Sequence, residues 1–430
     1  MTHVVVAIVL CVVGFLWLKF SQGKEKPQSA TSEETRQSSK DKAKNNKQEK
    51  QEPPAKTIDK KVKKEEKHKQ CIFEVKGHKD GMNCFMFSST GKLAASTGDD
   101  RRVIIWDATK VPLAGDCSHG KLVSNLREFR YQNVIPELDQ PVSVAFSPDD
   151  MYFAVAYATS KEIKIFAVKG VKEGAKVSIK TNVAKSITEM HWSYNGKFLA
   201  ICSTDDKESV RLFKASGEPL GVINPGALVV YHCVISPDSR FVAVASMQCD
   251  VKVWEVGADK EGFRLFGKVM ELTGRSGGGG ATGHSAAVHA VDFGGSSPAI
   301  LVCESTRAAT VSKDGKCKIW NIDVRYKMKE DPKCLLTIDA IDSKSIDLVA
   351  IAPGKDSPIV ATWSKTAGLC FYKLPTGELL SQIHLEETGQ VFQMIWSPDS
   401  LTDKTGKVYQ HVLCTVSKDG RTRAWVPNSD

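Results

Sequence analysis

Short apolar runs alternate with polar turn residues along most of the chain, from Cys71 to the C-terminus. The runs are rich in Val, Ile, Phe and Ala, and each is only a few residues long, as in buried β-strands. Pro, Gly, Asn and Asp separate them at the short intervals that suit tight reversals between antiparallel strands. The pattern predicts an all-β domain made of many short antiparallel strands.

The strand pattern recurs seven times, and each repeat has one strand with an aromatic residue near its end. A turn-forming stretch, such as residues 145–150 or 395–400, lies before each aromatic and is followed by another apolar run. The seven aromatics are Trp106, Phe166, Phe213, Trp254, Trp320, Tyr372 and Trp425. Each repeat thus offers four strands joined by turns, which is the composition of one propeller blade. We predict a seven-bladed β-propeller over residues 71–430.

Two repeats carry the dipeptides that mark a known repeat family. Gly77-His78 opens the first repeat and Trp106-Asp107 closes it, while Gly283-His284 opens the fifth. In these features the chain resembles the WD-repeat (WD40) family, in which such signals lie about 40 residues apart. Residues 250–256, 283–293 and 311–336 most resemble the transducin beta-like protein 2 family. That resemblance implies an endoplasmic-reticulum membrane protein of the unfolded-protein (ER-stress) response, associated with the PKR-like ER kinase.

The resemblance also implies buried hydrogen-bonded tetrads. In the fifth repeat we expect the Asp314 carboxylate to bond His284, and the Ser312 hydroxyl to link His284 to the Trp320 indole. In the first repeat the residues matched to this role are His78, Asp100 and Trp106, with Ser96 or Thr97 as the hydroxyl. In the seventh repeat they are Ser417, Asp419 and Trp425, without a histidine. Ser, His and Asp could instead form a hydrolase triad, but their positions match a structural role.

The two ends of the predicted propeller complement each other. The chain stops just after Trp425, at the third strand of a blade, and residues 72–75 form an edge strand ahead of the first repeat. Pairing these strands would remove two open sheet edges. We predict that the N-terminal strand completes the last blade, and that residues 71–77 are needed for the stability of the ring.

The N-terminus is continuously apolar over residues 4–18 and then turns basic at Lys19. This length is at the short end for a membrane-spanning helix. We predict a transmembrane signal anchor over residues 1–20; the alternatives are a cleaved signal peptide and a buried helix. Lysines follow the apolar run and none precedes it, so the positive-inside tendency places the C-terminal domain in the cytosol.

Residues 21–70 form a Lys/Glu-rich linker with almost no large apolar side chains, which predicts disorder. Between residues 19 and 69 there are 16 Lys/Arg and 9 Asp/Glu, so this segment carries most of the net charge of +9. The propeller itself is nearly neutral, which argues against a general nucleic-acid-binding fold. The linker either acts as a spacer or binds anionic lipid or RNA phosphates through residues 22–70.

The sequence contains no motif that indicates catalysis or a bound cofactor. Twelve cysteines are scattered without a C-x-x-C pair, and there is no phosphate-binding loop and no H-E-x-x-H. We therefore expect no enzyme activity, no small-molecule substrate, no cofactor and no metal. The unpaired thiols and the absence of an N-x-S/T sequon agree with a cytosolic domain.

These features predict a non-enzymatic, membrane-tethered scaffold at the endoplasmic reticulum that binds proteins, including the PKR-like ER kinase. Two alternatives are an RNA- or ribosome-associated adaptor that acts through the linker and a propeller hydrolase in the lumen. Charged loop residues beside the tetrads are the candidate partner contacts, namely Lys79, Asp80, Arg101, Arg102, Lys313, Lys418 and Arg421.

Overall fold

A computed structural model describes residues 70–108, 139–169, 174–205, 207–260, 262–273, 283–294, 305–341, 344–354, 359–384, 390–402 and 408–427. These residues form 29 β-strands and one short 3-10 helix, Tyr326–Met328. The all-β prediction is confirmed. The proposed anchor (1–20) and all of the linker except Gln70 lie outside the described residues. Within the described ranges, no helix is long and apolar enough to cross a bilayer.

The strands form seven successive antiparallel sheets and one additional ladder of two very short strands, so the prediction of a seven-bladed propeller is confirmed. In chain order the strands are β1 (Cys71–Lys76), β2 (Met82–Phe87), β3 (Leu93–Gly98), β4 (Val103–Asp107), β5 (Pro141–Phe146), β6 (Tyr152–Tyr157), β7 (Glu162–Ala167), β8 (Val177–Lys180), β9 (Ile187–Trp192), β10 (Phe198–Ser203), β11 (Val210–Lys214), β12 (Pro219–Ile223), β13 (Val230–Ile235), β14 (Phe241–Ser246), β15 (Val251–Asp259) and β16 (Gly262–Leu272). They continue as β17 (Val288–Gly294), β18 (Arg307–Ser312), β19 (Lys316–Asn321), β20 (Lys333–Asp339), β21 (Leu348–Ile351), β22 (Ile359–Ser364), β23 (Gly368–Lys373), β24 (Glu378–Ile383), β25 (Val391–Trp396), β26 (Leu401–Thr402), β27 (Val408–Tyr409), β28 (Leu413–Ser417) and β29 (Arg421–Trp425).

Each blade is a sheet of strands that we call a to d, from the centre of the ring outwards. Strands β2–β4 give strands a to c of blade 1, and blades 2 to 6 are β5–β8, β9–β12, β13–β16, β17–β20 and β21–β24. Blade 7 contains β25, β28 and β29, with β1 as its outer strand. All seven aromatics predicted from the repeat lie on c strands.

The b strands are apolar on both faces because each blade is covered by a neighbour on either side. Every residue of β10 and of β14 is buried, whereas the outer strands β16 and β20 alternate between exposed and partly buried positions. This burial explains why the sequence shows continuous apolar runs rather than a strict alternation of polar and apolar residues. The described residues contain seven apolar clusters, and each joins one blade to the next around the ring.

The N-terminal strand closes the ring, as the sequence predicts. Strand β1 pairs antiparallel with β29, with Phe73 opposite Ala424 and Lys76 opposite Arg421. The Gln70 side chain adds a hydrogen bond of 2.9 Å to the Pro427 carbonyl. Blade 7 therefore combines strands from the two ends of the described chain, and β29 has no open edge.

The glycine of each G-H pair is required by close packing. A Cβ at Gly77 would lie 2.2 Å from the Trp106 ring, and a Cβ at Gly283 would lie 2.2 Å from the Thr273 carbonyl oxygen. Both distances are far below van der Waals contact, so a larger residue would force the loop away from its blade. These glycines hold the two histidines in their buried positions.

Candidate protein-binding face and central channel

One end of the ring carries the turns between the b and c strands together with the connections from each d strand to the next a strand. We call this end the b–c face. Antiparallel order places all these loops at the same end of the blades and the a–b and c–d turns at the opposite end. The charged residues selected from the sequence belong to loops of this face or to the strand ends beside them.

The tetrad of blade 5 forms around Thr310 and not around Ser312. His284 Nδ1 lies 3.0 Å from Asp314 Oδ2, and His284 Nε2 lies 2.8 Å from Thr310 Oγ1. The Trp320 indole N–H donates to the same Thr310 oxygen at 2.8 Å. A neutral imidazole that donates from Nδ1 and accepts at Nε2 satisfies every group in this chain of bonds.

The prediction for Ser312 was wrong because the position along the strand was read two residues too far. Ala308 lies opposite Trp320, so Thr310 and Ser312 both lie on the tetrad face of β18. Ser312 lies two residues, about 6.6 Å, farther along that strand. Its hydroxyl donates to the Ala286 carbonyl and accepts from the Asp314 N–H, both at 3.1 Å, so it stabilises the turn.

Blade 1 contains the same arrangement with Ser96 as the hydroxyl. His78 Nδ1 lies 2.8 Å from Asp100 Oδ1, and Ser96 Oγ lies 2.8 Å from His78 Nε2 and 3.0 Å from Trp106 Nε1. Of the two hydroxyls considered, Ser96 therefore joins the tetrad. The Thr97 hydroxyl is buried without a hydrogen-bond partner among the described residues.

Blade 7 replaces the histidine with an arginine that follows the acidic turn. Arg423 donates to Ser417 Oγ at 2.9 Å and to Asp419 Oδ2 at 2.8 Å. The Trp425 indole donates to Thr415 at 2.8 Å. Ser417, which the sequence analysis grouped with Trp425, instead bonds Asp419. Thr415 lies ten residues before Trp425, the same offset as in the other two tetrads.

Burial and charge together set the protonation of the histidine tetrads. Burial lowers the pKa of His284, although the nearby Asp314 carboxylate opposes this effect. Burial alone would raise the pKa of Asp314, but the Ser285 N–H and His284 together hold it below its ordinary value. The order Asp314, His284, Thr310 is that of a hydrolase triad, but the Thr310 hydroxyl is fully buried and accepts the Trp320 indole N–H, so it is not placed to attack a substrate.

The charged candidates differ in how freely they face solvent. Most of them have exposed side chains, namely Lys79, Asp80, Arg101, Lys313 and Lys418, and Arg102 is partly buried. Arg421 does not fit the prediction of a free contact residue, because its guanidinium pairs with Glu74 across the β1–β29 closure. A side chain engaged in that ion pair must break it before it can bind a partner.

An exposed apolar patch on the b–c face was missed by the sequence analysis. Leu228, Val229, Tyr231 and Met247 form this patch, in which Leu228 is 69% exposed and Met247 48% exposed. The Met247 N–H bonds the Val229 carbonyl at 3.0 Å, so the loop and the turn that carry these side chains are adjacent. A contiguous group of exposed apolar side chains is a common sign of a protein-binding surface.

Lys313 lies near this patch, on the next blade. The Gln248 carbonyl, directly after Met247, accepts the Val288 N–H at 3.0 Å. The Ala287 carbonyl accepts the Lys313 N–H at 2.9 Å. The apolar patch of blade 4 therefore continues into a basic position on blade 5, and the two could bind an apolar segment with an adjacent acidic residue.

The a strands surround a central channel with a cavity of about 330 Å³. In blades 3 to 5 its lining contains two carboxylates and two imidazoles, namely Glu189, His191, His232 and Asp292. Glu189 Oε1 accepts the Cys233 N–H at 2.6 Å, and Asp292 Oδ2 accepts the Ile351 N–H at 2.8 Å. Each carboxylate therefore ties its own blade to the next one.

The pKa values of the two carboxylates are shifted in opposite directions. Burial raises the pKa of Asp292 to about 7, although two backbone N–H donors oppose this effect. Burial alone would also raise the pKa of Glu189, but the charges of His232 and His191 hold it below its ordinary value. Glu189 therefore stays anionic in the channel while Asp292 titrates close to neutral pH.

Alignment of the a strands reveals the channel residues in the sequence. Counted back from the first residue of the a–b turn, Glu189 and His232 occupy the same position in blades 3 and 4, four residues before Ser193 and Ser236. Most repeats have an apolar or small residue there, including Cys84 in blade 1. Ionisable residues at these positions were the available signal, which a search for short motifs does not detect.

Comparison with known proteins agrees with the repeat architecture. The sequence model of the WD domain, G-beta repeat, matches residues 69–107, 217–255 and 280–321. Transducin beta-like protein 2 of Homo sapiens is 30% identical over 341 residues, which cover 75% of this chain and 69% of the human protein. The Mus musculus protein of that name is 34% identical over 270 residues, or 61% of this chain and 54% of the mouse protein. Apoptotic protease-activating factor 1 of Danio rerio is 23% identical over 390 residues, or 82% of this chain and 27% of that protein.

Proposed function

The chain belongs to the transducin beta-like protein 2 family of WD-repeat proteins, and from that premise we propose that it is a non-enzymatic scaffold that binds partner proteins through its b–c face. The observation that carries this proposal is the apolar patch of Leu228, Val229, Tyr231 and Met247. The matched family is one of repeats that build propellers, and the matches indicate no catalytic family.

The patch has the features of a docking surface for a peptide segment. Its side chains lie on a rigid ring, so the protein loses little conformational freedom when a partner binds. Tyr231 contacts the His289 ring edge-on at a centroid distance of 5.4 Å, which fixes the aromatic side chain in place. The partner is a protein segment with apolar anchor residues and an acidic residue that reaches Lys313.

Polar substitution of the patch is expected to weaken partner binding at least about tenfold, because apolar anchors at the centre of an interface contribute about 2 kcal/mol or more each. The variant Leu228→Ser with Met247→Ser removes the two most exposed side chains of the patch. Binding of the full-length chain to the cytosolic domain of the PKR-like ER kinase is measured by biolayer interferometry. The melting temperature should stay within a few degrees of the wild-type value.

Two controls separate the patch from other surfaces. Met328→Ser with Leu335→Ser changes two apolar side chains of similar exposure on blade 5, outside the patch, and should leave the affinity unchanged. Deletion of residues 22–69 keeps Gln70 and tests the basic linker. If the linker deletion abolishes binding and the patch variant does not, the b–c face is not the docking surface.

The finer proposal concerns location. The scaffold is a single-pass protein of the endoplasmic-reticulum membrane whose propeller lies in the cytosol and assembles the PKR-like ER kinase with other proteins of the unfolded-protein response. Residues 4–18 and the lysines after them support the anchor and its orientation. The kinase and the stress response are implied by the family resemblance alone.

A second candidate function rests on the charge of the linker. The excess of seven positive charges between residues 19 and 69 would attract RNA phosphates or the ribosome surface. An adaptor of this kind binds with a steep dependence on salt concentration, whereas a partner held by the apolar patch does not. Salt titration in the binding measurement described above distinguishes the two candidates.

A further inference from the structure

Three metal-binding side chains converge in the central channel. Glu189 and His191 are two residues apart on β9, so both lie on the same face of that strand. His232 comes from β13, the a strand of the next blade. Glu189 Oε2 lies 3.7 Å from His191 Nε2 and 3.6 Å from His232 Nε2, and the ligand atoms of the three residues lie within 4.8 Å of one another.

These separations fit one metal ion better than they fit hydrogen bonds. Both distances exceed the usual range of about 2.7–3.2 Å for an N–H···O hydrogen bond. Two ligand atoms at the usual distance of about 2.0–2.1 Å from a tetrahedral zinc ion lie roughly 3.3–3.4 Å apart. Each imidazole Nε2 therefore needs to move only a few tenths of an ångström relative to Glu189 Oε2 to reach the ligand–ligand distance of a zinc site.

The donor atoms at this cluster are available for a ligand. Glu189 Oε1 is used by the Cys233 N–H, which leaves Oε2 directed at the two imidazoles. His191 Nε2 is buried and has no hydrogen-bond partner among the described residues. A buried polar atom without a partner is costly unless a ligand or an ion satisfies it.

We propose that Glu189, His191 and His232 bind one zinc ion in the central channel, with its fourth coordination position open to the channel. Two imidazoles and one carboxylate suit zinc, whereas calcium and magnesium prefer oxygen ligands alone. The ion would link blades 3 and 4. A water molecule, or a side chain of a partner segment that enters the channel, would occupy the open position.

The neighbouring thiols form a second possible donor set but fit less well. Cys202 and Cys233 lie near Glu189. Both are fully buried within the apolar cluster between blades 3 and 4, and neither faces the channel cavity that the histidines line. Glu189 Oε2 and the two imidazole nitrogens already supply three ligand atoms for one ion, so the site needs no thiolate.

Zinc binding to the full-length chain tests this assignment. After treatment with a chelator, the protein is dialysed against zinc, and the bound metal is quantified; cobalt absorption then reports the coordination geometry. One zinc ion per chain is expected at this site, with the absorption of a low-coordinate cobalt complex. His191→Ala with His232→Ala should lower the affinity about 100-fold or more, because it removes two ligands, whereas loss of a supporting residue alone costs 10–100-fold.

Matched variants distinguish the loss of a zinc ligand from misfolding and from zinc binding by the nearby thiols. Glu189→Gln retains an oxygen that accepts the Cys233 N–H but removes the anionic ligand, and it should also weaken binding. His411→Ala, outside the cluster, and Cys202→Ala with Cys233→Ala should leave the affinity unchanged. The proposal is overturned if the wild type takes up no stoichiometric zinc, or if only the cysteine variant loses it. The partner measurement at the b–c face does not depend on either result.

Discussion

Deletion of residues 71–76 is expected to destroy the cooperative unfolding transition of the propeller. The deletion removes β1, whose first three residues are buried, with Ile72 and Phe73 at 4% and 5% exposure. Burial of two such side chains contributes about 1.5–3 kcal/mol each. The backbone hydrogen bonds to β29 are lost as well, and a domain has only about 5–15 kcal/mol of net stability.

The open ring that remains would be destabilised further. Strand β29 would present its edge to solvent, and the Glu74 partner of Arg421 and Arg423 would be missing. Arg423 is 5% exposed, and a buried cation with fewer partners is costly. We expect aggregation on expression, or loss of the calorimetric peak in the soluble fraction.

Two further variants make the closure prediction testable even if the deleted protein does not fold. Phe73→Ala should lower the free energy of unfolding by about 3–5 kcal/mol, as for other buried aromatics. Deletion of residues 22–69 retains β1 and should leave the melting temperature unchanged. An intact transition at the wild-type temperature in the protein without residues 71–76 would show that β1 does not close the ring.

Replacement of Thr310 by valine is expected to be much more destabilising than replacement of Ser312 by alanine. Valine preserves the shape of threonine but leaves His284 Nε2 and the Trp320 indole N–H without their shared partner. Each unsatisfied buried group costs about 1–3 kcal/mol. Thr310→Val should therefore lower the free energy of unfolding by about 2–5 kcal/mol, measured by urea denaturation.

Ser312→Ala provides the comparison because Ser312 is as deeply buried as Thr310. It removes two bonds at the turn and should cost about 1–2 kcal/mol. Thr310→Ser retains the hydroxyl and should recover most of the loss caused by valine. A larger effect of Ser312→Ala than of Thr310→Val would mean that Ser312 is the central hydroxyl of the tetrad.

The fold was predictable because its signals are periodic. The spacing of the c-strand aromatics identified all seven blades, including repeats such as that of Phe213, which lack the G-H dipeptide. The closure was also predictable, since the edge strand at residues 72–75 precedes the first blade and needs a partner strand. Both inferences rest on the requirement that strand edges and apolar faces be covered, which local sequence reflects directly.

The functional surfaces were harder to predict because they depend on which blades become neighbours and which side chains stay uncovered. Thr310 and Ser312 lie on one strand face and differ only in their distance from the indole. Glu189 and His232 are far apart in sequence and meet only because successive a strands line one channel. Leu228 has the composition of a core residue, and its exposure follows from its place in a loop on the b–c face.

The partners that the propeller can reach depend on the side of the membrane where it lies. Protease protection of intact microsomes measures this directly, with the full-length chain carrying a C-terminal tag that includes an N-glycosylation sequon. We expect protease to remove the tag without detergent and the sequon to stay unmodified, because the tag is in the cytosol. A protected, glycosylated tag would place the propeller in the lumen and contradict a scaffold for cytosolic partners.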